Sequence, residues 1–203
     1  MFYEPRNGHG LPHDPFKAIV APRPIGWIST RSKAGAVNLA PYSFFNAICD
    51  KPPLVLFSSS GRKDSLTFIE ETGEFAVNLV TEDLLEKMNA SSVNAPRGVS
   101  EFDYAGLTPV PCNLIGALRV GEAHAALECV ATDIREAIDR HGKRCGNWLV
   151  TGEVVGVHLD EAILTDGMID MRKAKSVSRL GYMDFATTSE VYQMLRPRWE
   201  GGS

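Results

Sequence analysis

The sequence has few of the features that mark secreted, membrane-spanning or nucleic-acid-binding proteins. It contains four cysteines, Cys49, Cys112, Cys129 and Cys145, and no C-x-x-C pair, which favours reduced, buried thiols over a disulfide framework. No apolar run approaches the roughly 18 residues that a membrane-spanning helix needs, and the N-terminus lacks the apolar core of a signal peptide. The net charge is -4, and no Lys/Arg block recurs along a face. We therefore expect a soluble, cytoplasmic protein that binds neither nucleic acid nor membrane.

Several motifs of common enzyme classes are also missing. There is no G-x-G-x-x-G after a strand and no G-x-S-x-G elbow, and the segment 61–65 has the wrong spacing for a P-loop, so Rossmann, hydrolase and P-loop chemistry are disfavoured. His124 and Glu128 share a predicted strand face but lie about 13 Å apart, too far to hold one metal ion. The sequence predicts no metal site, and no catalytic acid or base stands out.

The domain organisation follows from composition. With 203 residues, 44% of them hydrophobic, the chain can build one sizeable core. Residues 1–17 are rich in Gly, Pro, His and Asn and predict an N-terminal extension that does not order alone. We expect one domain over residues 18–190 and a C-terminal tail over residues 191–203.

Short apolar or alternating segments recur along the domain, each bounded by turn residues. They predict strands over residues 18–21, 25–31, 37–40, 54–57, 74–80, 120–133 and 148–159. The continuous apolar run at 54–57 is typical of a strand buried on both faces, and Pro41 either ends the 37–40 strand or places it at a sheet edge. Gly152 and Gly156 predict bends or bulges, and Asn78, in an apolar setting, needs buried hydrogen-bond partners.

Two short helices interrupt the strands. The first, over residues 65–71, has Asp64 as its N-cap and Gly73 just past its end. The second covers residues 82–90, and residues 91–117 predict an extended connection with short strands. Because strands dominate and do not alternate regularly with helices, the fold class is mainly β with short helices, antiparallel, closed or partly closed as a barrel.

A cationic turn lies at the start of the first predicted helix. Arg62 and Lys63 precede helical N–H groups that have no partner within the helix. Their charge-assisted hydrogen bonds, roughly 1.5–3 kcal/mol each, outweigh the ~0.3–1 kcal/mol of the helix dipole. Two interpretations stay open: a phosphate site completed by the hydroxyls of Ser58, Ser59 and Ser65, or a solvated turn with two surface cations.

Aromatic and polar residues alternate just after the predicted edge strand. Tyr42, Phe44 and Phe45 flank Ser43 and Asn46, so that apolar surface and backbone donors occur together. An isoalloxazine ring needs both, a face to lie against and N–H groups for its pyrimidine edge. Together with the cationic turn, this segment predicts a site for flavin mononucleotide (FMN), the alternative being that the aromatic residues only fill the core.

The ordered set of segments resembles the flavin reductase-like proteins with an FMN-binding split barrel, which include flavoredoxins and the reductase components of two-component monooxygenases. The resemblance spans roughly residues 18–185. The matching segments are Arg23-Pro-Ile-Gly-Trp-Ile-Ser-Thr30, Asn38-Leu-Ala-Pro-Tyr-Ser-Phe-Phe-Asn46, Pro52-Pro-Leu-Val-Leu-Phe-Ser58, Arg62-Lys-Asp-Ser65, Thr72-Gly-Glu-Phe-Ala-Val-Asn-Leu79, Ser100-Glu-Phe102, Ala105-Gly-Leu-Thr108, Leu127-Glu-Cys129 and Arg179-Leu-Gly181.

The resemblance implies a Greek-key-like split barrel and a homodimer with FMN near the subunit interface. It implies that Thr30 and the segment around Ser43 meet the isoalloxazine and that the cationic turn meets the phosphate. After Gly181 the sequence departs from the family pattern, so the resemblance assigns no role to Arg179 or Tyr182. The predicted cofactor-binding residues are Thr30, Ser43, Phe44, Phe45, Asn46, Ser58, Ser59, Arg62, Lys63, Asp64 and Ser65.

The function that the resemblance implies is an NAD(P)H-dependent flavin reductase, in which a hydride moves to flavin N5 and electrons pass on to flavin, oxygen or a partner oxygenase. Two alternatives stay open. One is a flavoprotein oxygenase or oxidase that acts on a specific small molecule, similar to pyridoxamine-phosphate oxidase. The other is a flavin-binding protein without turnover.

Overall fold

The computed structural model describes residues 1–96 and 98–199. The strands are β1 (Arg23–Pro24), β2 (Gly26–Arg31), β3 (Val37–Tyr42), β4 (Phe45–Asp50), β5 (Pro53–Ser60), β6 (Glu74–Asn78), β7 (Pro109–Pro111), β8 (Leu118–Val120), β9 (Ala125–Ile138), β10 (Arg144–Leu159), β11 (Leu164–Thr165), β12 (Met168–Ile169), β13 (Val177–Arg179) and β14 (Phe185–Thr187). The α-helices are α1 (Phe16–Ile19), α2 (Asp64–Thr72), α3 (Leu85–Ala90), α4 (Glu101–Tyr104) and α5 (Met171–Ala174). Short 3-10 helices cover Pro5–Asn7, Glu82–Leu84 and Glu161–Ile163.

A seven-stranded antiparallel sheet forms the frame, in the order β3-β2-β6-β9-β10-β5-β4. A second, three-stranded sheet has the order β1-β13-β14. Pro41 lies on β3, at one edge of the large sheet, where its missing N–H breaks no ladder hydrogen bond. The predominance of antiparallel strands and the few short helices confirm the predicted fold class, a mainly β split barrel.

Two glycines bend the long central strand β10. The register with β9 shifts between Thr151 and Gly152 and again between Val154 and Gly156. A Cβ at Gly152 would lie 2.4 Å from the ring of Phe75, so that the strand can approach the core only without a side chain there. The predicted irregularities are therefore confirmed.

The core has two main parts, one on each side of the sheet. Trp27 and Phe102 lie in the part covered by α3 and α4, while Phe57 and Phe75 lie with Leu66 in the part covered by α2. All five side chains are completely buried. The sheet thus holds the N-terminus of α2 in a defined place, which positions the site described below.

The buried amide of Asn78 has the partners that the sequence required. Its nitrogen donates to the Trp27 carbonyl at 3.0 Å and lies 3.2 Å from the Ser29 hydroxyl. Its oxygen accepts the N–H of Val120 at 2.8 Å. The amide therefore links β2, β6 and β8 inside the core.

Some local predictions are wrong. Residues 18–21 do not form a strand, because α1 ends at Ile19 and Ala18 packs directly on the backbone of Gly181. Residues 54–57 are fully buried on one face only, since Leu54 and Leu56 keep partial exposure on the other. Asp64 is the first residue of α2 rather than its N-cap, a position that Lys63 takes.

Two segments predicted to be extended have more structure and more contacts than the sequence indicated. The connection over residues 91–117 contains the helix α4 besides β7. Residues 1–17 contact the domain, since the guanidinium of Arg23 donates to the Lys17 carbonyl and the ring of His13 lies 5.7 Å from that of Tyr182. In the predicted tail over residues 191–203, positions 200–203 lie outside the described residues.

The described part of the chain contains no helix that combines the length and the apolar character needed to cross a membrane. The four cysteines are free thiols, but the expectation that they are buried is wrong for Cys49 and Cys145, which are exposed. Burial raises the pKa of Cys112 and of Cys129 to about 12 in each case.

Candidate functional site

A cavity of about 420 Å³ opens beside the edge strand β3. Its walls come from β3 and the turn after it, from the end of β5, from the N-terminus of α2, and from the segment after α3. The lining residues are Lys17, Asn38, Ala40, Pro41, Tyr42, Ser43, Phe44, Ser58, Ser60, Lys63, Asp64, Ser65, Ser91, Ser92, Val93, Asn94, Ala95 and Glu101.

One end of this cavity is rich in hydroxyl groups and carries a cation. Side chains alternate along β5, so Ser58 and Ser60 line the cavity, while Ser59 is buried and donates to the carbonyl of Gly61 at 3.0 Å. Lys63 follows as the N-cap of α2 and lines the same end. Because the first N–H groups of a helix have no partner within it, this end suits an anion.

A buried hydrogen bond joins this end to the edge strand. The Ser65 hydroxyl donates to the side-chain oxygen of Asn38 on β3. The carboxylate of Glu101 accepts the N–H of Leu39 at 3.1 Å. Glu101 and Asp64 also line the cavity, so the two lysines of the lining, Lys17 and Lys63, face two carboxylates as well as the open space.

The other end is aromatic. Phe44 presents its ring at the cavity and keeps 36% of its surface exposed. The Tyr42 ring is buried, and its phenol oxygen has no partner at hydrogen-bond geometry among the described residues. Burial raises the pKa of Tyr42, and the nearby Ser65 and Ser59 hydroxyls oppose that shift. This end therefore offers a flat apolar surface, whereas the Tyr42 hydroxyl lies toward Ser59 and Ser65 at the start of α2.

The segment after α3 closes the cavity and is anchored in the core. The Ser91 hydroxyl accepts the indole N–H of Trp27 at 2.9 Å and donates to the Met88 carbonyl at 2.7 Å. This anchor holds Ser92 and Asn94 in the cavity wall.

Six of the predicted cofactor-binding residues come together in this lining: Ser43, Phe44, Ser58, Lys63, Asp64 and Ser65. The other five lie elsewhere. Thr30 is buried in β2, and its hydroxyl has no hydrogen-bond partner in the part of the chain that the structure describes. Ser59 donates its hydrogen bond within its own turn. Phe45 packs against Gly26 and lines an apolar cavity, and the exposed Asn46 side chain accepts the N–H of Ala47 at 2.9 Å.

Arg62 is the fifth residue outside the lining. Its guanidinium forms an ion pair with Glu70 on α2. The guanidinium carbon lies 4.8 Å from the ring centroid of Trp148. Of the two neighbouring cations in the predicted turn, only Lys63 lines the cavity.

The sequence missed several lining residues. Lys17 fell in the predicted extension, and residues 91–95 looked like a plain connection. Asn38 and Ala40 share one face of β3, and their period of two was the only signal that placed them beside Tyr42. Glu101 lies in a segment that carries the family resemblance, but no local pattern predicted its place in the site, because that place depends on a contact with Leu39, which is distant in sequence.

A second cavity of about 240 Å³ adjoins the first. The two cavities share Lys17, Pro41, Ser43 and Ser92 in their linings. The remaining residues of the smaller cavity are Arg23, Ile25, Met88, Asn89, Arg179, Tyr182 and Phe185.

A cluster of metal-ligating residue types lies away from both cavities. Ligand atoms of Cys112, Glu128 and His158 lie within 4.8 Å of one another. The Glu128 carboxylate already accepts the N–H groups of Asn113 and Leu114 at 2.6 and 2.7 Å and pairs with His158 at 2.5 Å. The sequence did not bring these residues together, because they are separated by 16 and 30 positions. His124 pairs instead with Asp160 at 2.7 Å.

Comparison with known proteins places the chain in a family. Residues 20–177 match the family described as flavin reductase like domain. A protein of Aquifex aeolicus described as uncharacterized is 37% identical over 169 residues, which cover 80% of this chain and 83% of that protein. A second such protein, from Halalkalibacterium halodurans, is 35% identical over 183 residues, which cover 88% of this chain and 87% of that protein.

Solved structures agree with this match. Nitrilotriacetate monooxygenase component B from Bacillus cereus is 30% identical and has a TM-score of 0.85, with 96% of this chain and 98% of that chain covered. The 2-nitrobenzoate 2-nitroreductase of Pseudomonas fluorescens is 26% identical and has a TM-score of 0.79, with 92% of this chain and 91% of that chain covered. The resemblance found in the sequence is thus confirmed: the chain belongs to the flavin reductase-like family of flavoprotein oxidoreductases.

Proposed function

We propose that this protein binds FMN in the 420 Å³ cavity and acts as an NAD(P)H-dependent flavin reductase. The observation that carries the proposal is one cavity that joins a hydroxyl-rich, cationic end at α2 to an aromatic end at Phe44. FMN held there would supply the redox chemistry, namely hydride transfer from NADH or NADPH to flavin N5 and electron transfer onward to flavin, oxygen or a partner protein.

The residues present fit such a cofactor. The volume falls within the range of about 300–1,000 Å³ that is usual for ligand sites. Among residues 1–96 and 98–199 the buried Tyr42 hydroxyl has no partner at hydrogen-bond geometry, and a buried group of this kind costs about 1–3 kcal/mol unless a ligand supplies one. An apolar ring with polar edges matches the aromatic end, and a phosphate matches the helix start.

In this proposal the chain's own residues divide the work. Lys63, Ser58 and Ser60 hold the phosphate together with the first N–H groups of α2. Ser43 and Phe44 hold the ring, and the Ser65–Asn38 hydrogen bond keeps α2 against β3. Three of the predicted residues outside the lining, Ser59, Arg62 and Phe45, act as positioning residues.

The three positioning roles follow from observed contacts. Ser59 fixes the turn at Gly61 through its hydrogen bond. Arg62 ties the start of α2 to Trp148 and Glu70. Phe45 packs against Gly26 and so sets the path of the chain at Phe44.

An anaerobic titration tests the proposal. FMN-loaded protein is titrated with NADH and, in a parallel sample, with NADPH while the flavin absorbance is followed. We expect stoichiometric bleaching with at least one of the two nucleotides. A colourless protein that does not take up added FMN would contradict the proposal as a whole.

We further propose a cytoplasmic homodimer that delivers electrons to a partner oxygenase. The similarity to a protein named as a monooxygenase component supports the partner. Val155, Val157 and Leu159 are exposed at alternate positions of β10 and so offer an apolar strand surface to a second copy. Light scattering on the FMN-loaded protein should give twice the chain mass, and a monomeric mass would contradict the dimer.

A second candidate function keeps the flavin but adds a specific small-molecule substrate. The adjoining 240 Å³ cavity favours it, as does the similarity to a protein named as a nitroreductase. Slow bleaching by both nucleotides together with fast flavin reduction by another small molecule would favour an oxidase or oxygenase. Tight FMN binding without any reductant would indicate a flavin-binding protein without turnover.

A further inference from the structure

The smaller cavity is lined by an unusual concentration of positive charge. Lys17, Arg23 and Arg179 all contribute to it, beside the aromatic rings of Tyr182 and Phe185. We call it the arginine cavity. No carboxylate among residues 1–96 and 98–199 lines it.

The two arginines face each other across neighbouring strands. Arg23 on β1 is the direct antiparallel partner of Arg179 on β13, and like charges in directly opposite positions destabilise a sheet. Arg23 is also only 6% exposed. Burial and the charge of Arg179 lower the pKa of Arg23. The arrangement therefore places two positive charges close together, one of them buried, which lowers the stability of the fold unless an anion compensates.

Nothing in the described chain neutralises these charges. The Arg23 guanidinium donates only to backbone carbonyls, those of Lys17, Val20 and Leu180, and its Nε is buried without a partner. Arg179 donates to the carbonyl of Tyr182. Neither arginine forms an ion pair within residues 1–96 and 98–199. A buried cation of this kind is satisfied when an anion binds beside it.

The rest of the lining selects the shape of the anion. Phe185 lies under Arg179, with the guanidinium carbon 4.4 Å from the ring centroid, and Ile25 and Met88 supply apolar surface. The volume of about 240 Å³ lies below the range of about 300–1,000 Å³ for drug-sized ligands. Such a space suits one ring with a charged group, and a dinucleotide is too large for it.

We propose that the arginine cavity binds the carboxylate of a single-ring aromatic acid beside the bound flavin. The inference deepens the proposed function and rests on it for the position of the flavin. The shared residues Lys17, Pro41, Ser43 and Ser92 place this ligand next to the larger cavity. Arg23 and Arg179 bind the carboxylate, and Phe185 packs against the ring.

The test is calorimetric titration of the full chain, loaded with FMN, using benzoate as the probe. Benzyl alcohol, a neutral molecule of the same shape, is the matched ligand. Inorganic phosphate and NADPH are titrated separately to distinguish a phosphate site from a carboxylate site. We expect saturable benzoate binding, at least about tenfold weaker binding of benzyl alcohol, and no competition between phosphate and benzoate.

Arg179→Gln tests the role of the arginines. Arg179 is chosen over Arg23 because Arg23 donates three hydrogen bonds to backbone carbonyls, and removing them would destabilise the fold. Arg179→Gln should weaken benzoate binding about tenfold or more while FMN affinity stays unchanged. Arg196→Gln, at an exposed arginine far along the chain, is the control and should leave benzoate affinity unchanged. A melting curve confirms that each variant is folded.

The outcomes separate the two proposals. FMN binding without benzoate binding, or equal affinities for benzoate and benzyl alcohol, would overturn the arginine cavity and leave the flavin reductase proposal intact. Displacement of benzoate by phosphate or NADPH at similar affinity would show a phosphate subsite instead and also overturn the inference. Benzoate binding to a chain that takes up no FMN would support the cavity and contradict the proposed function.

Discussion

Arg62 and Lys63, adjacent in sequence, lie in different environments: Arg62 stacks on Trp148 with its guanidinium carbon 4.8 Å from the ring centroid, whereas Lys63 lines the large cavity. Arg62 is held there by Glu70 as well. The two cations of one turn thus serve different purposes, one that fixes the turn and one that is available to an anion.

Lys63→Ala should weaken FMN binding more than Arg62→Ala does. Loss of the lysine removes a charge-assisted hydrogen bond to the phosphate, which we expect to raise the Kd for FMN about tenfold or more. Arg62→Ala should raise it less than about threefold, because an exposed ion pair contributes little. Quenching of FMN fluorescence gives both values. A larger loss in Arg62→Ala would show that the guanidinium turns into the cavity when FMN binds.

Tyr42→Phe should separate cofactor binding from stability. The variant removes a buried hydroxyl that no described residue partners at hydrogen-bond geometry, so the cofactor-free protein should be as stable as the parent or more stable by up to about 1 kcal/mol. FMN affinity should fall about fivefold, because in our proposal bound FMN supplies a partner for this hydroxyl. Urea unfolding without FMN measures the first effect and fluorescence titration the second. Equal FMN affinity in the two proteins would mean that Tyr42 only fills the core.

Gly26→Ala should destabilise the fold through Phe45. A Cβ at Gly26 would lie 2.6 Å from Cδ2 of the Phe45 ring, and overpacking of this kind costs about 1–3 kcal/mol. Adding Phe45→Leu should recover part of that loss, so that the double variant is more stable than the sum of the two changes predicts. Urea unfolding measures all three proteins.

Gly116→Ala is the matched control for this experiment. The nearest atom to a Cβ there is Oε2 of Glu74, 3.2 Å away at the end of a flexible side chain. We expect Gly116→Ala to lower the free energy of unfolding less than Gly26→Ala does. Strict additivity of Gly26→Ala and Phe45→Leu would contradict the contact.

Glu128→Gln should change the acid stability of the protein. Burial alone would raise the pKa of Glu128, but the N–H groups of Asn113 and Leu114, together with His158, outweigh it and hold the pKa below its usual range. The stability that this carboxylate contributes is therefore present above about pH 4.5 and is lost as the pH falls through its lowered pKa. At pH 7 the variant should lose about 2–3 kcal/mol in its free energy of unfolding.

The same variant should flatten the decline of stability below about pH 4.5. Urea unfolding at a series of pH values from 3 to 7 measures this, with Glu86→Gln, at an exposed residue, as the control. An unchanged pH profile in Glu128→Gln would show that other carboxylates govern acid unfolding.

Much of the frame was readable from local patterns. Period-two alternation located β2 and β9, and short apolar segments bounded by turn residues located β6 and β10. Gly73 marked the left-handed end of α2, and Gly152 marked a bulge. The apolar surroundings of Asn78 required partners, which it has. These features depend on neighbours in sequence and on backbone conformation, so that a few consecutive residues suffice to reveal them.

The sequence by itself determined the family, the antiparallel strands and the stretch from Ser43 to Ser65 that borders the large cavity. Only the tertiary structure decided that Lys63 and not Arg62 lines it, because Glu70 and Trp148 hold the arginine. It also brought Arg23 opposite Arg179, from residues 156 positions apart. Partners that are distant in sequence meet only through strand register and packing. No local pattern therefore predicts which of two adjacent cations is held by such a partner.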